Sequence, residues 1–236
     1  MAANPNLDRN AAITRSLLGW GVVAGPFYVV VSLTLAVTRA GFDLTKHALS
    51  LLTLGELGWL QRTNLILTGL MAIAAAVGIL RAVRNGRGLA MGALVMVYAA
   101  GLGVSAIFPP DPVAGFPPGS PGGEFSVSGI LHLLSGAVSF VAIAAAAFAH
   151  AAWSRSIGAR RRALVSVVLG LVILIGFGGG VALSTSPTGI LLIWIAVIAQ
   201  FTWLALASAH IYAWSPHPLG DAATTRAATQ PRGNPS

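Results

Sequence analysis

The chain contains no cysteine among its 236 residues. Disulfides, thiolate nucleophiles and thiolate metal ligands are therefore excluded. Lysine occurs once, and Asp and Glu together six times. Only 8% of residues are charged, against roughly 25% in soluble domains. So few charges cannot cover a water-facing surface. The composition instead points to an integral membrane protein: 56% hydrophobic residues and a mean hydropathy of +0.80. The net charge of +8 is carried by short arginine clusters between apolar runs. No basic helix with interleaved aromatics is present, which argues against nucleic-acid binding. The distribution suits an anionic membrane face.

Six apolar runs, near 17–38, 63–83, 88–108, 128–152, 163–183 and 190–213, are long enough to cross a hydrocarbon core. Such a core is about 30 Å thick and needs about 20 helical residues. Unpaired backbone groups are too costly in lipid, so each run is expected to be a helix. The fold class expected is all-α: a polytopic membrane protein of six transmembrane helices, with a short interfacial helix in the first outer loop. The first run, about 21 apolar residues with a poor cleavage site after it, reads as a retained helix rather than a signal peptide. The organisation expected is an N-terminal cytoplasmic segment (1–14), a six-helix domain (15–214) and a disordered cytoplasmic tail (215–236).

The arginines orient this arrangement. Arg9 and Arg15 precede the first run, and Arg81, Arg84 and Arg87 separate the second from the third. Arg155, Arg160, Arg161 and Arg162 separate the fourth from the fifth, and Arg226 and Arg232 lie in the tail. The alternate loops, 39–62, 109–127 and 184–189, hold three basic residues between them. Positive charge is retained on the cytoplasmic side, so both termini are expected there, in the plasma membrane. The Pro/Gly-rich stretch "PPDPVAGFPPGSPGGEF" then becomes an irregular outer lid. Gly21 and Gly25, and Gly176 and Gly180, have the spacing of closely packed helices.

Polar residues gather at the outer end. In a helix over 43–53, Asp43, Lys46, His47 and Ser50 would share a face, with Asp43 as the cap and Trp59 as an interfacial anchor. Ser128, His132, Ser135 and Ser139 would form a matching stripe on the fourth helix. Gln61 and Asn64 open the second, and Asp111 follows the third. Polar groups at membrane depth usually face a bundle interior or a watery cavity. The expected pocket is therefore outward-facing and polar, lined by Asp43, His47, Ser50, Gln61, Asn64, Asp111, His132 and Ser135. Interhelical hydrogen bonding is the competing role, and the stronger one for the serines and Asn64. Gln200 is expected to bond a neighbouring helix. His150 and His210, near the inner helix ends, are expected to be satisfied by solvent or headgroups, and His217 lies in the tail.

The stretches "HALSLLTLGELGWLQRTN", "IFPPDP" and "SGILHLLSG" resemble the bacterial family labelled domain of unknown function 998, over about residues 15–213. The resemblance rests on His47, Ser50, Gly58, Trp59, Asp111, Pro112, Gly129 and His132. It implies a six-helix membrane fold and brings no assigned reaction. Ala48 stands where a proline is often found in that family.

The function expected is binding of a lipid headgroup or small molecule in the outer pocket, with membrane lipids as partners and no cofactor or resident metal. The alternative is a membrane-embedded lipid hydrolase. Its catalytic candidates are Ser50 as nucleophile, His47 or His132 as base and Asp111 as orienter, or a metal held by the histidines and Asp111.

Overall fold

The structure is a computed structural model that describes residues 8–123 and 125–219. The disorder expected for the tail falls mostly on residues outside that range. Six helices carry the fold: α1 Arg9–Thr38, α2 Gly58–Ala82, α3 Gly86–Ile107, α4 Val127–Ser156, α5 Arg160–Ala182 and α6 Pro187–Trp214. Each is long and apolar enough to cross a membrane. Even α3, at 22 residues, reaches about 33 Å at a rise of ~1.5 Å per residue. The described residues contain no strand, only an isolated bridge between Val113 and Phe116.

Hydropathy locates the spans but not their polar ends. α1 begins eight residues before its apolar run because the Asp8 carboxylate accepts hydrogen bonds from the amides of Asn10 (2.9 Å) and Ala11 (3.1 Å). That cap satisfies orphan donors of the first turn. Residues 9–14 are thus continuous with the first span. α2 begins at Gly58, so Gln61 and Arg62 are helical rather than loop residues. α3, α4 and α6 start on Asn85, Ser126 and Ser186, whose side chains each accept from first-turn amides.

Each helix packs on its neighbours in sequence, and α1 closes against α6, giving a ring. Lipid offers no hydrophobic drive for helix association, so close packing must supply it. Small residues allow that approach. A Cβ at Gly25 would lie 2.7 Å from Phe201 Cβ, and one at Gly176 would lie 2.9 Å from the Leu192 carbonyl oxygen. Ala72, Ala75 and Ala76 are fully buried at the centre. The outer surface is the inverse: Val30 and Val37 are 63% and 74% exposed, with Leu70, Ile175 and Leu191 also exposed. Soluble monomers rarely expose apolar surface so continuously.

The segment 39–57 folds over one end of the ring. A short helix is present there, but it is a 3-10 turn over Leu49–Thr53, not a helix over 43–53. Local bonds explain the difference. Lys46 and His47 both donate backbone N–H groups to the Asp43 carbonyl (3.0 and 2.8 Å), and the Asp43 amide donates to His47 Nδ1 (2.9 Å). These close a single turn, and Ala48 is extended. Side-chain bonds to nearby backbone compete with helix propagation in this way. The chain then buries Leu49, Leu51 and Leu52. The Arg39 guanidinium ties the end of α1 to the carbonyls of Leu52 and Leu54.

The α1–α6 seam yields a direct test. Gly25→Ala should lower Tm in detergent, a loss of about 1–3 kcal/mol typical of overpacking. Gly19→Ala, where an added Cβ meets nothing within 4 Å, should leave Tm unchanged or raised. Equal behaviour of the two variants would contradict the packing described.

Candidate functional site

The polar residues of the covered end separate into four groups. At the edge, Asp43 faces water. Its carboxylate accepts from the Thr45 amide (2.9 Å) and hydroxyl (2.6 Å) and pairs with Lys46 at 3.3 Å. The Thr45 hydroxyl and amide hold the Asp43 carboxyl down at about 2. His47 turns the other way, into an aromatic pocket. Its ring lies 5.3 Å from Phe42 and 5.3 Å from Phe116, centroid to centroid. Burial lowers its affinity for a proton, opposed by the nearby Asp43 charge. A neutral ring also fits Nδ1 as an acceptor from the Asp43 amide.

A second group joins α1 to α2. Gln61 Nε2 donates to Ser32 Oγ (3.0 Å). Asn64 Nδ2 reaches Ser32 Oγ (3.1 Å), Gln61 Oε1 (3.1 Å) and the Tyr28 carbonyl (3.2 Å). All three side chains are buried. This is the interhelical hydrogen bonding that competed with a pocket role for Asn64.

Asp111 forms a third. It accepts from the Ser126 amide and hydroxyl while Ser126 caps α4, and a Cβ at Gly129 would collide with the carboxylate. Its role in this geometry is to tie the end of the 109–125 loop to the start of α4, with its charge near the positive end of the helix dipole.

The fourth group surrounds a cavity of about 180 Å³ inside the ring, below the 3-10 turn. Ser50 and His132 line it together with Tyr28, Tyr98, Ser105, Ser139 and Gln200. The remaining walls are apolar, including Leu65, Leu102, Phe177, Val197 and Phe201. His132 Nδ1 lies 2.9 Å from the Phe108 carbonyl. A carbonyl can only accept, so Nδ1 carries the proton and Nε2 holds the lone pair. Ser135 sits just behind the wall, 2.9 Å from Ser105 Oγ. Two residues of the lining, Tyr98 and Gln200, each have a side-chain oxygen, Oη and Oε1, buried without a hydrogen-bond partner.

Of the eight residues expected to line one pocket, the cavity takes Ser50 and His132, with Ser135 adjoining. Asp43, His47, Gln61, Asn64 and Asp111 are engaged elsewhere. Among the described residues no hydrogen bond joins Ser50 to a histidine, or Asp111 to one, and no group of three metal-ligating side chains occurs. Tyr28, Tyr98 and Ser105 are the polar lining residues that sequence reasoning passed over. Tyr98, Leu102 and Ser105 have i, i+4, i+7 spacing, the one signal that could have marked α3 as a wall. Gln200 was expected to bond a neighbouring helix, and its amide oxygen does not.

Six apolar spans and a buried polar interior define an integral membrane protein of the multi-pass helical class. A family model described as "Protein of unknown function (DUF998)" matches residues 22–210, and the chain belongs to that family. No curated protein matches the chain, and no solved structure does.

The Asp43 turn can be tested by titration. Its acid is stronger folded than the ordinary 3.8, so its contribution is complete above that pH and is lost as pH falls through about 2. NMR titration of the Asp43 carboxyl should give a midpoint near 2 that rises in Thr45→Ala. An unchanged midpoint in that variant would contradict the assigned cause.

Proposed function

We propose that the chain binds an amphipathic lipid or lipid-like small molecule in the cavity below the 3-10 turn. In this reading it sits in the plasma membrane with both termini cytoplasmic. The orientation is supported by the eleven arginines of the termini and alternate loops and by the positive-inside rule. It makes the covered end of the ring the outer one.

One observation carries the binding role: a largely apolar cavity is lined by Tyr98 and Gln200, whose Oη and Oε1 are buried and unpaired. An unsatisfied buried polar atom costs about 1–3 kcal/mol. Here two such atoms belong to residues that line one space. A ligand that brings a hydroxyl or amine to Gln200 and Tyr98, and an apolar body to Leu102, Phe177 and Val197, removes that cost. Ligand sites commonly combine apolar walls with a few polar groups that fix orientation. The cavity is less polar than the sequence implies, so the acyl portion of a lipid matches more of it than a headgroup does.

The hydrolase reading keeps one specific support. Ser50 and His132 share the cavity, and His132 Nε2 is the basic nitrogen. In that reading Phe108, rather than Asp111, orients the imidazole.

The protein in phosphatidylcholine nanodiscs should cross-link a diazirine-bearing lipid at residues of α3 and α6 around Tyr98 and Gln200. Tyr98→Phe/Gln200→Leu should reduce lipid retained in native mass spectrometry by roughly tenfold, about 1.4 kcal/mol. Cross-links confined to outer residues such as Val30 and Leu191 would overturn the binding reading. Release of free fatty acid by the wild type but not by Ser50→Ala would favour the hydrolase.

A further inference from the structure

A second cavity, of about 370 Å³, lies at the opposite end of the ring, between the end of α4, the start of α5 and the end of α6. Arg161, Arg162, His150, Ser166, Trp203 and His210 contribute to its lining, which includes no carboxylate. The only ion pair among the described residues is Asp43–Lys46 at the other end. We propose that this cavity binds a phosphate group, presented either by an anionic lipid headgroup or by a soluble phosphate.

The polar side chains form a connected series. His150 Nδ1 is 2.7 Å from Ser166 Oγ, and His150 Nε2 is 3.1 Å from His210 Nδ1. Both rings are buried, His210 being 5% exposed. His210 Nε2, the open end of the series, has no hydrogen-bond partner among the described residues. With Ser166 donating to His150 and His150 donating to His210, the free Nε2 bears a hydrogen and acts as a donor. An anion in the cavity selects that arrangement.

The rest of the lining is apolar, formed by Val165, Leu169, Leu206 and Ala209, except for groups of the same sign. Arg161 and Arg162 supply guanidinium groups that fit phosphate oxygens in pairs. They belong to the first turn of α5, whose N-cap, Ala159, offers no side-chain acceptor. The Arg160 amide donates to the Gly158 carbonyl (2.9 Å), while the Arg161 and Arg162 amides have no such acceptor among the described residues, at the positive end of the helix dipole. Trp203 leaves its indole N–H buried and without a partner. Donors and cations with no opposing acid fit an acceptor-rich anion. Trp214, 49% exposed, stands beside the buried Trp153 at this end, and exposed tryptophan is enriched at a membrane–water boundary. A headgroup phosphate would therefore lie at the depth of the cavity.

The test uses the full chain in nanodiscs. One arm adds inorganic phosphate to discs of phosphatidylcholine alone, with chloride at matched ionic strength as reference. The other dopes the discs with phosphatidic acid. Tm should rise in at least one arm. A rise with inorganic phosphate assigns a soluble anion, and a rise with phosphatidic acid only assigns a lipid headgroup. The double change Arg161→Gln/Arg162→Gln, at exposed positions, should abolish the rise. Arg84→Gln/Arg87→Gln, which removes the same charge from the same end outside the cavity, should keep it. His210→Gln should weaken binding about tenfold. No rise in either arm, or equal loss in the two arginine pairs, would overturn the site. Wild-type affinity in His210→Gln would overturn the histidine's part in it.

Discussion

Inside the hydrocarbon layer a backbone amide has no water to bond, and each unpaired group costs several kcal/mol. This constraint dictates most of the structure. It makes every apolar run a helix and pushes irregular backbone to the ends of the bundle. It also makes every polar side chain at membrane depth answerable to another protein group or a ligand. Ser32, Gln61 and Asn64 answer to one another, and His132 answers to Phe108. His150 answers to Ser166 and His210. Tyr98, Ser154, Gln200, Trp203 and Ser208 each keep a buried atom that finds no such answer, and of these Tyr98 and Gln200 line the central cavity.

The two ends of the ring are chemically unlike. At one, the 39–57 segment packs leucines and His47 over the bundle, and Phe116 from the second loop is buried against Phe42. At the other, arginines crowd the helix ends. Arg15 donates to the Ser215 carbonyl and lies 3.9 Å from the Tyr212 ring, while Arg81 reaches Thr14 and Asn10. The start of α1 and the residues after α6 meet there too, Asp8 donating its amide to the Pro218 carbonyl at 2.8 Å. The cavity at the covered end thus lies beneath apolar cover and the other beside cations, so the two proposals call for different ligands and can fail separately.

Much of the fold was legible because one physical rule, apolar length, sets it. The six spans were each located to within several residues. Their ends were not, because Asp8 or Gly58 extends a helix through polar sequence that hydropathy scores as loop. The 39–57 segment was harder still. Period-based reading put Asp43, His47 and Ser50 on one face, but the Asp43–His47 bonds close one turn and send the three side chains to water, an aromatic pocket and the cavity. Ser50 and His132 could be singled out as polar groups near a span's end. Asp111 could be singled out too, but not its duty at the start of α4. Whether Gln200 has a partner depends on which side chain stands opposite it. No pattern within one helix encodes that, and the same holds for the contact of His150 with His210 across 60 positions of sequence.

The central claim is that six crossings put the cavity-covering loops and the arginine-rich turns on opposite faces of the membrane. The absence of native cysteine makes single-cysteine labelling clean. Ser120→Cys and Arg84→Cys, each in intact cells, should respond oppositely to a membrane-impermeant maleimide. The account predicts labelling at position 120 without permeabilisation and at position 84 only after it. Labelling of both positions from the same side would contradict the crossing pattern, and with it both cavities' assigned exposure.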